Sequence, residues 1–134
     1  MKVIIAGCRN WRASRSRIQE VVEESGFEVT ELVSGGAPGI DESGEIWAKW
    51  EGVQIQIFRA SWTTLGRKAG PIRNAEMAKY ADALIAFWDG KSRGTGSMIR
   101  EMRSRGKPYH VVAVGNVTLI DTKIGKKIGR KTIK

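Results

Sequence analysis

The sequence predicts an α/β fold, a doubly wound and mainly parallel sheet of about five strands with helices on both faces. Three observations carry that expectation. Short apolar runs alternate with amphipathic stretches five times along the 134 residues. Two strand-to-helix joints, Ser34–Asp41 and Asp89–Ser97, are rich in glycine and hydroxyls. The length suits one domain with a real core and little room for a second.

Taken in order, VIIAG at residues 3–7 reads as a buried strand. Ser14 is placed to cap a helix over 15–25, with Ile18, Val21 and Val22 on one face and Gly26 as its stop. Phe27–Val33 is the second strand. Between Ser34 and Ile40 fall three glycines and a proline, and a helix follows over about 39–51. Ile40, Trp47 and Trp50 are expected on its buried side, and Ser43 and Gly44 are small enough to let it sit close to the sheet. Gly52 breaks it. Val53, Ile55 and Ile57 alternate with Gln54 and Gln56, as an edge strand would. Residues 60–70 form an irregular connection. A helix starts near Pro71, bearing Ile72, Ala75, Met77 and Ala78. Residues 82–88 are the most apolar strand, expected at the centre. A helix over about 95–105 turns Met98, Ile99 and Met102 inward. Tyr109–Val114 is the fifth strand, and Val117–Ile120 a short sixth or a return onto the sheet edge.

Composition bounds the function classes. No stretch approaches the roughly 18 apolar residues of a membrane span. The opening MKVIIAGCRN reads as a strand, not a signal peptide, so a cytoplasmic location is expected. Cys8 is the single cysteine, which excludes an internal disulfide and a cysteine metal cluster. No metal and no cofactor are expected. Of a net charge of +9, six positives (Lys123, Lys126, Lys127, Arg130, Lys131 and Lys134) follow the last acid, Asp121. Residues 1–116 therefore read as the folded domain and 117–134 as a basic, flexible extension. That tail, with Arg9, Arg12, Arg15 and Arg17, makes nucleic acid a possible partner; a merely solvated tail fits equally well.

In a doubly wound sheet, ligands sit at the C-terminal ends of the strands beside the switch in strand order. Gly7–Trp11, Ser34–Asp41 and Asp89–Ser97 all lie there. Ser34, Gly35, Gly36 and Gly39 suit a backbone cradle for phosphate, or a tight turn with close helix packing. Arg73 can clamp a phosphate bidentately, or pair with Glu76 or Asp82. Asn74 suits a ribose or base, or a helix cap. Gly94, Thr95, Gly96 and Ser97 open a helix where hydroxyls and N–H groups can hold phosphate oxygens. Asp41 and Glu45 share a helix face, as an acid pair or as a cap. Gly7 and Arg9 close the first strand beside Trp11, which can stack a base or pack in the core. Trp62 and Trp88 are expected in the core or at a subunit contact, His110 as a structural histidine, and Cys8 as a small filler.

SGGAPGID, then W-x3-G-x2-AGPIRN-x2-M, then an apolar strand and DGKSRGT, resemble the SLOG superfamily, specifically its small bacterial and phage members related to the YspA and YpsA types. The resemblance spans about residues 3–114. It implies a Rossmann-like domain, nucleotide-type binding and a homodimer or higher homo-oligomer, with contacts through the helices around Trp47 and Met98. Arg73-Asn74 with Met77, and Gly94-Thr95, are similar to segments of the nucleotide phosphoribohydrolases, which cleave an N-glycosidic bond. Where those enzymes carry a glutamate three residues after the threonine, this chain has Met98, and Glu101 one turn later. Arg73 and Glu101 are then the candidate catalytic residues. Ser34–Asp41 is also close to a segment of the DprA family, which binds single-stranded DNA. The function expected is binding of a nucleotide or nucleotide-derived ligand, a class that includes signalling nucleotides. The alternatives are a nucleoside-monophosphate N-glycosidase and a DprA-like nucleic-acid binder.

Overall fold

The computed structural model of the chain describes residues 1–115, 119–121 and 126–129. Strands β1 (Lys2–Gly7), β2 (Glu31–Ser34), β3 (Gln54–Ile57), β4 (Ala83–Trp88) and β5 (Tyr109–Ala113) form one sheet in the order β3-β2-β1-β4-β5. Every pairing within it is parallel. The order turns back at β1: the chain first builds outward through β2 to β3, then crosses to β4 and β5. The switch point therefore lies between β1 and β4, at the ends marked by Gly7 and Trp88.

Helices α1 (Arg15–Ser25) and α2 (Ile40–Glu51) cover one face; α4 (Ala69–Tyr80) and α5 (Arg93–Ser104) cover the other. A four-residue helix α3 (Trp62–Leu65) and a short 3-10 turn (Gly66–Lys68) lead into α4. The period of two along β1 divides the core. Val3 and Ile5 join Ile18, Val21, Ile40, Trp47 and Phe87 on the α1/α2 side. Ile4 and Ala6 join Met77, Leu84, Met98 and Met102 on the α4/α5 side.

Local signals account for most boundaries. The Ser14 side chain accepts the Arg17 N–H at the start of α1, and Gly26 closes it at φ 74°. Gly44 rests on Ile5, with room for a Cβ only 3.1 Å from Ile5 Cγ2, so the small residues do bring α2 onto the sheet. β3 is the edge strand its alternation predicts. β4 is interior, but the middle position belongs to β1. β2 is shorter than expected, starting at Glu31. α4 begins at Ala69, two residues before Pro71, because the turn through Gly66–Lys68 already supplies helical geometry.

Two expected core residues lie outside. Trp50 is 68% exposed, with the Arg15 guanidinium 3.7 Å from its ring centroid. Ile72 is 40% exposed. Conversely, Trp47 and Met98 are buried in their own core, so the apolar side chains α2 offers outward are Ile46 and Trp50. Beyond β5, strands β6 (Leu119–Asp121) and β7 (Lys126–Gly129) pair antiparallel as a separate two-stranded sheet. β6 falls where a short sixth strand is expected; β7 is not foreseen. Much of the basic extension lies outside the described residues.

The C-terminal end of α4 is closed by a distant residue. Lys107 Nζ donates to the carbonyls of Ala78 (2.7 Å), Lys79 (3.0 Å) and Ala81 (2.7 Å). These include carbonyls that a helix end leaves without partners. Lys107→Met is therefore expected to cost about 2 kcal/mol. Lys79→Met, an exposed lysine on the same turn, should stay within about 0.5 kcal/mol of wild type in urea denaturation.

Candidate functional site

The ends of β1, β2 and β4 meet the N-termini of α2 and α5 and the first turns of α4 around one open cleft of about 1080 Å³. Gly7, Arg9, Asp41, Arg73, Asn74, Gly94, Thr95, Ser97 and Glu101 all line it. Gly35, Gly36 and Arg73 line a smaller adjoining cavity. Ser34, Gly39 and Gly96 are packed in the loops and helix behind.

The glycine loop after β2 is wired to itself. Buried Ser34 donates its hydroxyl to Glu45 Oε2 (2.7 Å) and accepts the Gly36 N–H (3.2 Å). Asp41 Oδ2 accepts the Ala37 N–H (3.2 Å). Two N–H groups of the loop are thus satisfied by side chains of the same segment. The first turn of α2 also carries two acids, Asp41 and Glu42. The glycines serve close approach: a Cβ on Gly35 would fall 2.5 Å from Arg73 Nη1, and one on Gly39 2.5 Å from the Arg9 carbonyl oxygen. Gly7 is equally confined, its Cβ position 2.6 Å from the Phe87 carbonyl oxygen.

Arg73 anchors this loop from α4. Its Nη1 donates to the carbonyls of Gly35 (2.7 Å) and Phe58 (3.3 Å), and its Nε to Asn74 Oδ1 (3.0 Å). Burial pulls the guanidinium below its usual range, against the favourable charge of Asp41. Asp41 bears the opposite strain. Desolvation raises its carboxyl to about 6, although the Ala37 N–H and Arg73 favour the ionised form. Asn74 then reaches across to α5, donating to the Gly94 carbonyl (3.2 Å) and Ser97 Oγ (3.5 Å).

The α5 end differs. Its first turn has no acid, and Ser92, at the capping position, makes no side-chain capping bond. The Ser92 and Thr95 hydroxyls meet each other at 3.3 Å. The first N–H groups of a helix have no partner within it. A Cβ on Gly94 would meet nothing within 4 Å. Asp89 shapes the loop ahead, its Oδ1 accepting the N–H groups of Lys91 (2.9 Å) and Ser92 (2.7 Å). Burial acts to raise the Asp89 carboxyl, but these donors outweigh it and hold it below the usual carboxylate range. Behind this loop Cys8 is buried, its thiol 3.7 Å from the Phe87 carbonyl and pushed up in pKa by desolvation.

Charge around the cleft is uneven. Arg9, Arg67, Lys91, Arg93 and Arg100 line it with no carboxylate partner among the described residues. Glu101 lines it too, paired with Arg105 one turn on. Trp62, expected in the core or at a subunit contact, is half exposed and forms part of the cleft wall. Trp11 packs against the α1/α2 core instead. Arg67 and Trp62 come from the irregular connection 60–70, where no periodicity marks a side chain as inward or outward. Trp62 is marked in the sequence as the first residue of the W-x3-G segment, whereas the lone signal at Arg67 is a cation next to a glycine. Among the described residues no cluster of His, Cys, Asp and Glu is placed to hold a metal ion, and no helix is long and apolar enough to cross a membrane.

Comparison with known proteins agrees with the architecture. The gene 61 protein of Mycobacterium phage D29 is 34% identical over 116 residues, which cover 80% of this chain and 92% of that protein. The structure of DNA processing protein A (DprA) from Streptococcus pneumoniae superimposes with a TM-score of 0.65 at 18% identity. That match takes in 87% of this chain and 50% of that one, so the chain spans about half the length of its structural relative and shares its fold. A profile of YspA- and cpYpsA-related SLOG proteins matches residues 1–64. With the fold, the glycine loops and the phage relative in agreement, the chain belongs to the YspA- and cpYpsA-related SLOG family.

Proposed function

We propose that the chain binds a nucleotide-type ligand, with a phosphate seated at the N-terminus of α5. The observation that carries this reading is the pairing of an uncapped helix start, open above Gly94, with five cations that lack carboxylate partners on the same cleft. A helix N-terminus attracts anions through free N–H groups and the helix dipole, and arginine matches phosphate geometry. The α2 end is less suited, since its loop N–H groups are engaged and its first turn is acidic. The family supports a nucleotide- or nucleic-acid-related role in general terms.

Gly94→Glu tests the proposal without threatening the fold. The new side chain meets open space, and an acid in the first turn stabilises a helix by about 0.3–1 kcal/mol. Calorimetry against a panel of nucleotides is expected to show micromolar binding by wild type and at least a tenfold loss in the variant. Binding that survives Gly94→Glu unchanged would remove the phosphate from this helix.

A second reading, N-glycosidic cleavage of a bound nucleotide, is supported by Asp41 and Glu101, two of the three carboxyls on the one cleft, the third, Asp89, being engaged by the N–H groups of its own turn. Burial raises the Asp41 carboxyl to about 6, which suits a general acid. Free base should then be released from a nucleoside monophosphate, and Glu101→Gln should abolish the release while leaving binding intact. A protein that binds the monophosphate and never releases base is a binding module alone.

A further inference from the structure

Beside the main cleft lies a cavity of about 220 Å³, walled by Arg9, Arg59, Arg73, Trp62 and the backbone of residues 35–38. It shares Arg9, Ala37, Trp62 and Arg73 with the main cleft, so the two are neighbours across those residues. Its lining holds three arginines and no acid. Arg59 is exposed and makes no hydrogen bond or ion pair with any described residue. Its Nη1 stands 3.1 Å from where a Gly36 Cβ would be, over the glycine turn. Arg73 spends Nη1 and Nε on the protein, and no described residue takes a hydrogen bond from its Nη2. Arg9 lies 6.0 Å from the centroid of the half-exposed Trp62 ring. Three guanidinium groups around so small a space repel one another, and an anion there relieves that repulsion.

We propose that this cavity takes a second phosphoryl group of the ligand that occupies the main cleft. The ligand class is then a nucleoside carrying two separate phosphoryl groups, its base resting against Trp62. Indole stacks on any base, and Arg9 serves both cavities. Such a unit occurs free, as a nucleoside bisphosphate, and repeatedly within single-stranded nucleic acid. The inference rests on the nucleotide reading above and narrows it.

Calorimetry with adenosine monophosphate, adenosine 3′,5′-bisphosphate and a short single-stranded oligonucleotide tests it. Wild type is expected to bind the bisphosphate at least tenfold tighter than the monophosphate. Arg59→Gln should erase that advantage and leave monophosphate affinity unchanged; Trp62→Ala should weaken both. An oligonucleotide that outbinds the free bisphosphate identifies a strand as the source, and the reverse order identifies the free nucleotide. Equal wild-type affinity for the mono- and bisphosphate overturns the proposal. So does an Arg59→Gln variant that weakens the two by the same factor. If no nucleotide binds at all, the reading of the α5 terminus has failed and this one falls with it, a result distinct from the loss of discrimination alone.

Discussion

Replacing Gly39 with alanine is expected to lower the stability of the fold by about 4 kcal/mol. Two independent penalties combine. Gly39 stands at φ 84°, ψ −125°, a backbone conformation in which a side chain is strained. Its Cβ would also meet backbone atoms, 2.5 Å from the Arg9 carbonyl oxygen and 2.7 Å from the Cys8 carbonyl oxygen. Neither can swing aside as a side-chain end could, because Cys8 O accepts the Ile40 N–H at the entry to α2. Gly26→Ala supplies the comparison. Gly26 has φ 74° but nothing within 4 Å of its Cβ position, so only the conformational penalty of about 1 kcal/mol applies. Parallel denaturation of the two variants separates the terms. Equal costs would mean that the approach of α2 to the end of β1 is not tight.

Asp41→Asn is expected to stabilise the protein at neutral pH by up to about 3 kcal/mol. The folded carboxyl titrates near 6, against 3.8 for an ordinary aspartate. A pKa raised in the folded state means that folding takes up a proton. The contribution of Asp41 is therefore fully favourable below pH 4 and is lost as pH rises through 6. Asparagine keeps an oxygen for the Ala37 N–H and carries no charge to desolvate. The variant should match wild type at pH 4 and exceed it from pH 7 upward. Because other carboxylates titrate in both proteins, the difference between the two curves isolates this residue. A difference that stays flat from pH 4 to 8 would show that Asp41 is not desolvated in the folded chain. If it also serves as a general acid, the same substitution would gain stability and lose turnover together, as strained functional groups do.

Much of the fold could be read from local signals. Ser14 and Gly26 bracket α1 because capping chemistry is confined to a few adjacent residues. The alternation at residues 53–57 placed β3 at an edge, since a strand with one polar face cannot be covered on both sides. Helical spacing was less reliable for single side chains. Trp50 fits the apolar stripe of α2, yet the helix ends one residue later and the ring lies outside under Arg15. Ile72 fails similarly in the first turns of α4. The three loops that converge on the cleft were recognisable by their glycines and by their place at strand ends. The hydrogen bonds that spend the Gly36 and Ala37 N–H groups were not, because they depend on rotamers of Ser34 and Asp41. Arg59 carries no motif, and Trp62, though it opens the W-x3-G segment, gives no sign of which way its ring faces; only the course of the connection before α4 brings them beside Arg9.

The buried thiol behind the Asp89 turn has a practical consequence. Cys8 is the only cysteine in the chain, lies against the end of β4, and lines the floor of the cleft. Only 5% of its surface is exposed, so the closed fold shields the sulfur from reagents and opening at the β1 and β4 ends speeds their access. The alkylation rate, divided by that of a free thiol at the same pH, then sets an upper limit on how often the switch point breathes. The molecule thus carries its own reporter of motion at the one place where its topology reverses, readable on the native chain without any mutation.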